Sequence, residues 1–305
     1  MKVLVMGSGG VGGYYGALLA RMGHNVTFIA RGPHLEAMQR DGLRVESDDE
    51  PPFTVPVKAM PRPVAGAPND LVIFAVKAYD TATAAAIIRP IVHAQTMVLS
   101  LQNGVDSGDQ LTAEVGADHV LAGPVYVVSS IASPGVVRRT GAVNRVVFGP
   151  LSPAATTRAS EILAEAIAAG WPAELTAHPL RELWTKLAFL GPFAATTTLT
   201  GVTAEQLRSD PSSAALVRAV MAEYVAVATA EGADLPANAM DAAFETLMRY
   251  PGEATSSMAR DREAGKRLET AALVSTVSRR GKDRAVPTPI TNMLNALLAP
   301  LTQGT

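Results

Sequence analysis

The chain begins Met1-Lys2-Val3-Leu4-Val5-Met6-Gly7-Ser8-Gly9-Gly10-Val11-Gly12-Gly13 and soon reaches Val26-Thr27-Phe28-Ile29-Ala30-Arg31. A short apolar run, Val3 to Met6, ends in a G-x-G-x-x-G string. An amphipathic helix pattern follows from Gly13 to about Arg21, and a second apolar run from Val26 to Ala30 stops at Arg31. Strand, glycine turn, helix and strand in that order form the opening of a dinucleotide-binding unit. Gly7 allows the tight turn, Gly9 lets backbone approach a pyrophosphate, and Gly12 lets the helix pack close to the sheet. Ser8, Gly10 and Val11 complete the loop, whose N–H groups and positive helix end favour phosphate.

Arg31 sharpens this reading. An acid at the end of the second strand would bind a ribose 2′-hydroxyl, whereas an arginine accommodates a 2′-phosphate. A guanidinium fits phosphate as a bidentate fork. The pattern therefore points to NADP(H). The plainer alternative for Arg31 is a solvated loop cation.

The 305 residues suit two domains. Apolar residues make up 48 % and the formal net charge is −2, so a sizeable core is available and nothing marks a nucleic-acid or acidic-membrane partner. There is no cysteine, which excludes disulfides, thiolate catalysis and Cys-based metal sites. The five histidines are scattered singly, so no metal site is expected. No run of about eighteen apolar residues predicts a membrane span, and no signal-peptide pattern precedes the first strand. These features fit a cytoplasmic protein.

The first half reads as strands alternating with helices. Strands are predicted at 43–46, 53–57, 70–76, 96–101 and 119–122, with helices at 33–40 and 80–91. That alternation implies a parallel sheet with right-handed crossovers. Late strands are predicted at 126–131, 135–139 and 145–148, with Pro134-Gly135 and Thr140-Gly141 as turns, followed by a covering helix over 154–169. From about Pro179 the strand signals vanish. Helical periodicity runs over 180–190, 214–231, 237–250, 268–280 and 290–298. The expected architecture is α/β: a Rossmann-type, doubly wound NADP-binding domain over 1–175, then an all-α domain over 176–305. The alanine-rich helices of the second would suit either an internal core or a homodimer contact.

In an open α/β sheet ligands bind beyond the carboxyl ends of the strands. Two such ends carry polar groups: Val76-Lys77-Ala78, and Gln102-Asn103-Gly104. A surface cation and a turn former are their plain readings. In the helical half, Lys186 stands among Leu183, Trp184, Leu187, Ala188 and Leu190. It is either an i,i+4 partner of Glu182 or a desolvated lysine of lowered pKa that can act as an acid.

Together these pieces resemble the ketopantoate reductase (2-dehydropantoate 2-reductase) family over nearly the whole chain. The motifs carrying the resemblance are the glycine loop with Arg31, Val76-Lys77-Ala78, Gln102-Asn103-Gly104, Pro134 to Gly141, Glu182-Leu-Trp-Thr-Lys186-Leu, and Ser256-Ser257-Met258 followed by Asp261 and Glu269. The resemblance implies an oxidoreductase using NADPH to reduce a 2-oxo acid to a 2-hydroxy acid, with ketopantoate to pantoate, a step of pantothenate biosynthesis, as the leading case. It implies Lys186 as proton donor, Asn103 against cofactor and substrate, Lys77 on the cofactor side, Ser257 on the substrate carboxylate, and Glu269 at the cofactor ribose or in the lysine network.

The chain also departs from the family pattern. Positions where asparagines are expected carry Leu190, Ala194, Ala204 and Ala254. A substrate hydroxyl left unpaired there costs about 1–3 kcal/mol. Thr196, Thr197 or Thr198 could substitute. The alternatives are therefore a reductase for a more apolar 2-oxo acid, or a non-catalytic NADP-binding sensor.

Overall fold

The computed structural model describes residues 1–304. The chain packs as two compact units. One comprises residues 1–102 and 107–179, and the other residues 103–106 and 180–305.

The first unit opens with β1 (Lys2–Met6), α1 (Gly10–Arg21), β2 (Asn25–Ile29), α2 (Gly32–Asp41), β3 (Leu43–Ser47), β4 (Phe53–Val55) and β5 (Lys58–Met60). It continues with β6 (Leu71–Phe74), α3 (Thr81–Ile88), β7 (Met97–Ser100), α4 (Ser107–Val115), β8 (Val120–Ala122), β9 (Val125–Ser133), β10 (Val136–Pro150), α5 (Thr156–Ala168) and β11 (Ala173–Leu175). Strands β5-β2-β1-β6-β7-β8 lie side by side, each pair parallel. Strand β10 joins β8 antiparallel and carries β9, β3 and β11.

The apolar runs divide with a period of two, because successive strand side chains point to opposite faces. Val3 and Val5 of β1 pack with Leu18 of α1 and Ile162 of α5. Leu4 and Met6 pack on the other face with Ala84 and Ile88 of α3 and Leu111 of α4. A sheet buried on both faces reads as continuous apolar strands, which is why the 70–76 run shows no alternation. The strand order reverses at β1, with β2 on one side and β6 on the other, which is the switch point where such sheets bind ligands.

Three local features differ from the sequence expectation. The expected strands at 135–139 and 145–148 are one long strand, β10. Its register against β9 slips between Thr140 and Asn144, so the Thr140-Gly141 turn is a bulge that never leaves the sheet. Arg139 lies fully buried beneath it, paired with Asp49 and donating to the Gly141 carbonyl at 2.8 Å. Strands β5 and β11 have only three residues each, too short for a periodic signal. Helix α4 begins at Ser107 and has no counterpart among the predicted helices, because Gly104 and Ser107 look like loop residues.

The second unit is helical: α6 (Pro179–Thr200), α7 (Ala204–Ser209), α8 (Pro211–Ala230), α9 (Ala239–Arg249), α10 (Ser257–Glu263), α11 (Thr276–Asp283) and α12 (Pro289–Leu298). Helix α6 runs past the expected stop at Leu190 and contains Pro192. Residues Gly191 to Thr198 are all buried, and packing over that stretch outweighs the hydrogen bond the proline removes. Before α11, residues Ala271–Ser275 form a π-helix rather than the first turn of one regular helix.

By length and mean hydropathy (1.4), α8 reaches the composition of a membrane-spanning helix, against expectation. Its Val217, Val220, Tyr224 and Val227 are buried in the unit's core. Its Glu223 accepts hydrogen bonds from the Ile290 and Thr291 N–H groups at 2.9 and 2.8 Å, capping α12. Those contacts hold one face of α8 in the core of this unit.

Candidate active site

Each unit carries one cluster of the candidate residues. In the first unit the cluster is the loop between β1 and α1. Gly7 holds φ +100°, and a side chain there would strike the backbone of Ala75 and Val76. Gly12 lies so near the Gly7 carbonyl that a Cβ would overlap it. Gly9 is different: nothing lies within 4 Å of where its Cβ would be. The open space in front of the loop is therefore at Gly9. Helix α1 begins there without a side-chain cap and without an acid in its first turn. Its first N–H groups have no intrahelical acceptors, so the loop offers donors and a positive dipole end. These features fit the diphosphate of a dinucleotide.

Side chains hold the loop in place. Ser8 is buried, and its Oγ donates to the Ile29 carbonyl at 2.9 Å. His34, which the sequence reading passed over, lies 3.0 Å from the Ser8 carbonyl through Nε2, while its Nδ1 accepts from the Gly135 N–H at 3.0 Å. Those partners require the neutral ring with the proton on Nε2. Burial lowers the His34 pKa, and the bond to Ser8 opposes that shift. A lone histidine after Arg31-Gly-Pro carries no sequence signal, because its partners lie 26 and 101 positions away.

Arg31 follows β2 and precedes α2, with an exposed side chain and no protein partner among the described residues. A guanidinium there fits a 2′-phosphate. Lys77 follows β6 with an exposed side chain, and its carbonyl accepts from the Asp80 N–H at 2.8 Å. Gln102, at the end of β7, donates through Nε2 to the Val76 carbonyl at 2.9 Å and to Thr81 Oγ1 at 2.8 Å, tying two strand ends together.

In the second unit the cluster centres on Lys186 of α6. Its Nζ donates to Asn103 Oδ1 at 2.8 Å. Burial pulls the Lys186 pKa down to about 8, and the charge of Glu269 opposes that fall. Glu269 is itself buried, just ahead of the π-helix. The residues Asn103–Asp106 pack with this unit although Asn103 directly follows Gln102 in the chain. Asn103, Lys186 and Glu269 are thus brought together. Such a group can hold a proton close to neutrality and release it.

Ser256 is the N-cap of α10. Its Oγ accepts from the Ala259 N–H at 3.0 Å and lies in hydrogen-bond contact with Thr197 Oγ1 at 2.8 Å, to which it can donate because the Thr197 proton goes to its own helix. Ser257, next along, is half-buried and has no protein hydrogen bond among the described residues. The threonines after Lys186 are largely committed elsewhere. Thr196 and Thr197 donate to the carbonyls of Pro192 and Phe193 at 2.8 and 2.7 Å, within their own helix. Thr198 Oγ1 is buried without a partner among the described residues. Ala194 and Ala204 are fully buried, while Leu190 and Ala254 are half-buried. Phe189 and Phe193, three and seven positions after Lys186, stack at 5.4 Å between ring centres, and Tyr250 lies 5.1 Å from each.

The family profile described as "Ketopantoate reductase PanE/ApbA" matches residues 3–153, and "Ketopantoate reductase PanE/ApbA C terminal" matches residues 180–302. A 2-dehydropantoate 2-reductase of Halobacterium salinarum is 32 % identical, with 98 % of each chain covered. Among solved structures, a PanE/ApbA family ketopantoate reductase from Ralstonia eutropha is 36 % identical, with a TM-score of 0.90 over 99 % of this chain and 98 % of that one. D-mandelate dehydrogenase, solved with NADH and anilino(oxo)acetate, shares the fold at a TM-score of 0.91 and 20 % identity, over 99 % and 98 % of the two chains. The present chain belongs to the ketopantoate reductase PanE/ApbA family of oxidoreductases.

Proposed function

We propose that this protein is an NADPH-dependent reductase converting a 2-oxo acid to the 2-hydroxy acid, with 2-dehydropantoate (ketopantoate) as its substrate. The observation that carries the reading is the 2.8 Å bond between Lys186 and Asn103 around an amine whose pKa is about 8. A bound NADPH supplies hydride. Lys186 gives its proton to the carbonyl oxygen as negative charge develops there. Asn103 keeps Nζ oriented, and Glu269 keeps the amine charged against its burial. Ser257 offers an uncommitted hydroxyl to the substrate carboxylate. Arg31 supports the choice of the 2′-phosphorylated cofactor, with the uncapped end of α1 at Gly9 taking the diphosphate.

A second reading rests on a specific observation. Leu190 and the Phe189–Phe193–Tyr250 cluster lie on the Lys186 side of α6, where 3.6-residue periodicity puts positions three, four and seven apart on one face. The hydroxyls of Thr196 and Thr197 are already consumed. That chemistry suits a 2-oxo acid with a larger apolar side chain than ketopantoate.

Oxidation of NADPH and of NADH, followed with ketopantoate and with branched and aromatic 2-oxo acids, tests both readings. Turnover of ketopantoate with NADPH, lost in Lys186→Ala, is the expected result. Turnover of the apolar acids alone selects the second reading. NADPH binding without turnover of any acid rejects both in favour of a sensor.

A further inference from the structure

The last two helices of the second unit, α11 and α12, form a hairpin joined through Val286 and Pro287. Two packed helices normally fill the space between them with apolar side chains. Here the groove is polar. One wall carries Ser275, Ser278, Arg279 and Lys282, at positions i, i+3, i+4 and i+7. The other carries Thr288, Asn292 and Asn295, at i, i+4 and i+7. The groove between them is open to solvent and has a volume of about 520 Å³, within the size range of small-molecule sites (roughly 300–1,000 Å³).

The groove is rich in donors and poor in acceptors. Ser275 Oγ donates to Asn295 Oδ1 at 2.7 Å, and Thr288 Oγ1 donates to Asn292 Oδ1 at 3.3 Å. Both amide oxygens are therefore occupied, which leaves both amide NH₂ groups to a ligand. Ser278 Oγ is buried and has no partner among the described residues. Lys282 is exposed and forms no ion pair among the described residues. Arg279 spends one nitrogen on Asp106 Oδ1 at 2.8 Å and Thr276 Oγ1 at 3.4 Å, and its other N–H groups remain. Asp106, the partner of Arg279, is shared with Arg280, and Glu231 is shared between Arg280 and Arg284. At the joined end, Val286 and Pro287 give an apolar floor.

We propose that this groove is a second ligand site, separate from the Lys186 cluster, that takes a small organic phosphate. Lys282 and Arg279 neutralise the phosphate, and Ser278 and the amide of Asn292 hydrogen-bond its oxygens. The organic part lies on Val286 and Pro287. Charge-assisted bonds from several donors suit a compact dianion better than a neutral ligand. The site requires nothing of the proposed reductase activity.

Titration calorimetry of the full chain at constant ionic strength tests the assignment with inorganic phosphate, phenyl phosphate and chloride. Saturable binding is expected for both phosphates, tighter for phenyl phosphate. Lys282→Ala, an exposed position, and Ser278→Ala should each weaken both by about tenfold. Arg31→Ala removes at most a contribution from the glycine loop and should leave in place the binding that Lys282→Ala weakens. Four results overturn the proposal: no saturation at millimolar phosphate, equal response to chloride, equal affinity for the two phosphates, or binding lost in Arg31→Ala but kept in Lys282→Ala. The last would place the ion at the glycine loop.

Discussion

Lys186 and Asn103 stand 83 positions apart in the chain, and the lysine Nζ reaches the amide oxygen at 2.8 Å. The bond fixes where the ammonium points. Lys186→Ala should lower kcat by about 10²–10⁴, the range for loss of a general acid. Equilibrium binding of NADPH, measured by fluorescence, should stay within a few-fold. Asn103→Ala should lower kcat less, because the acid survives but loses its orientation.

The lowered proton affinity of Lys186 sets a pH limit. The acid form is needed for reduction, so kcat/KM should be flat below pH 8 and fall as pH rises through about 8. Glu269 raises this pKa. In Glu269→Gln that support is gone, so the descending limb should move to lower pH. An unmoved limb in the variant would separate Glu269 from the lysine.

Cofactor preference should respond to one side chain. Arg31→Ala should raise KM for NADPH by about 10- to 100-fold, as expected for a lost charge-assisted contact. KM for NADH should barely change. Equal effects on both cofactors would contradict a role at the 2′-phosphate.

The glycines of the loop should separate folding from binding. Gly12→Ala forces a Cβ against the Gly7 carbonyl and should lower stability by about 1–3 kcal/mol in urea unfolding. Gly9→Ala places a methyl in open space. It should leave the unfolding midpoint unchanged while weakening NADPH binding.

His34 should make stability depend on pH. Its folded pKa lies below the ordinary 6.5, so the unfolded chain binds more protons as pH falls through 6.5. Full stability is present above pH 6.5 and declines below it. The Nδ1 acceptor for Gly135 is lost on protonation. His34→Phe should be less stable at pH 7.5 and should lose that part of the acid dependence, as thermal melts across pH 5–7.5 would show.

The legible parts of the molecule were those with a local cause. The glycine turn, the two-sided apolar strands and the helix caps are written within a few residues of where they act. Asp210, for example, caps α8 by accepting from the Ser213 N–H at 2.7 Å, only three positions on. Pro192 misled because local propensity ends a helix there, while burial of eight consecutive residues continues it. The bulge in β10 misled because Thr140-Gly141 reads as a turn unless the buried Arg139 beneath it is known. His34 and Gln102 were illegible as anchors because their partners come from distant strands and turns. The three threonines after Lys186 looked available, but a hydroxyl in a helix interior can turn back on its own carbonyls.

Residues Asn103–Asp106 belong by packing to the helical unit although the chain delivers them from the sheet. No single cut therefore separates this protein into two self-sufficient pieces. A fragment starting at Leu180 would lack both the amide that receives the Lys186 proton bond and the carboxylate shared by Arg279 and Arg280. Recombination between relatives, natural or engineered, inherits the same constraint. Exchanging the helical half alone pairs a foreign tetrapeptide with the incoming lysine, so a working chimaera must carry the four residues with it.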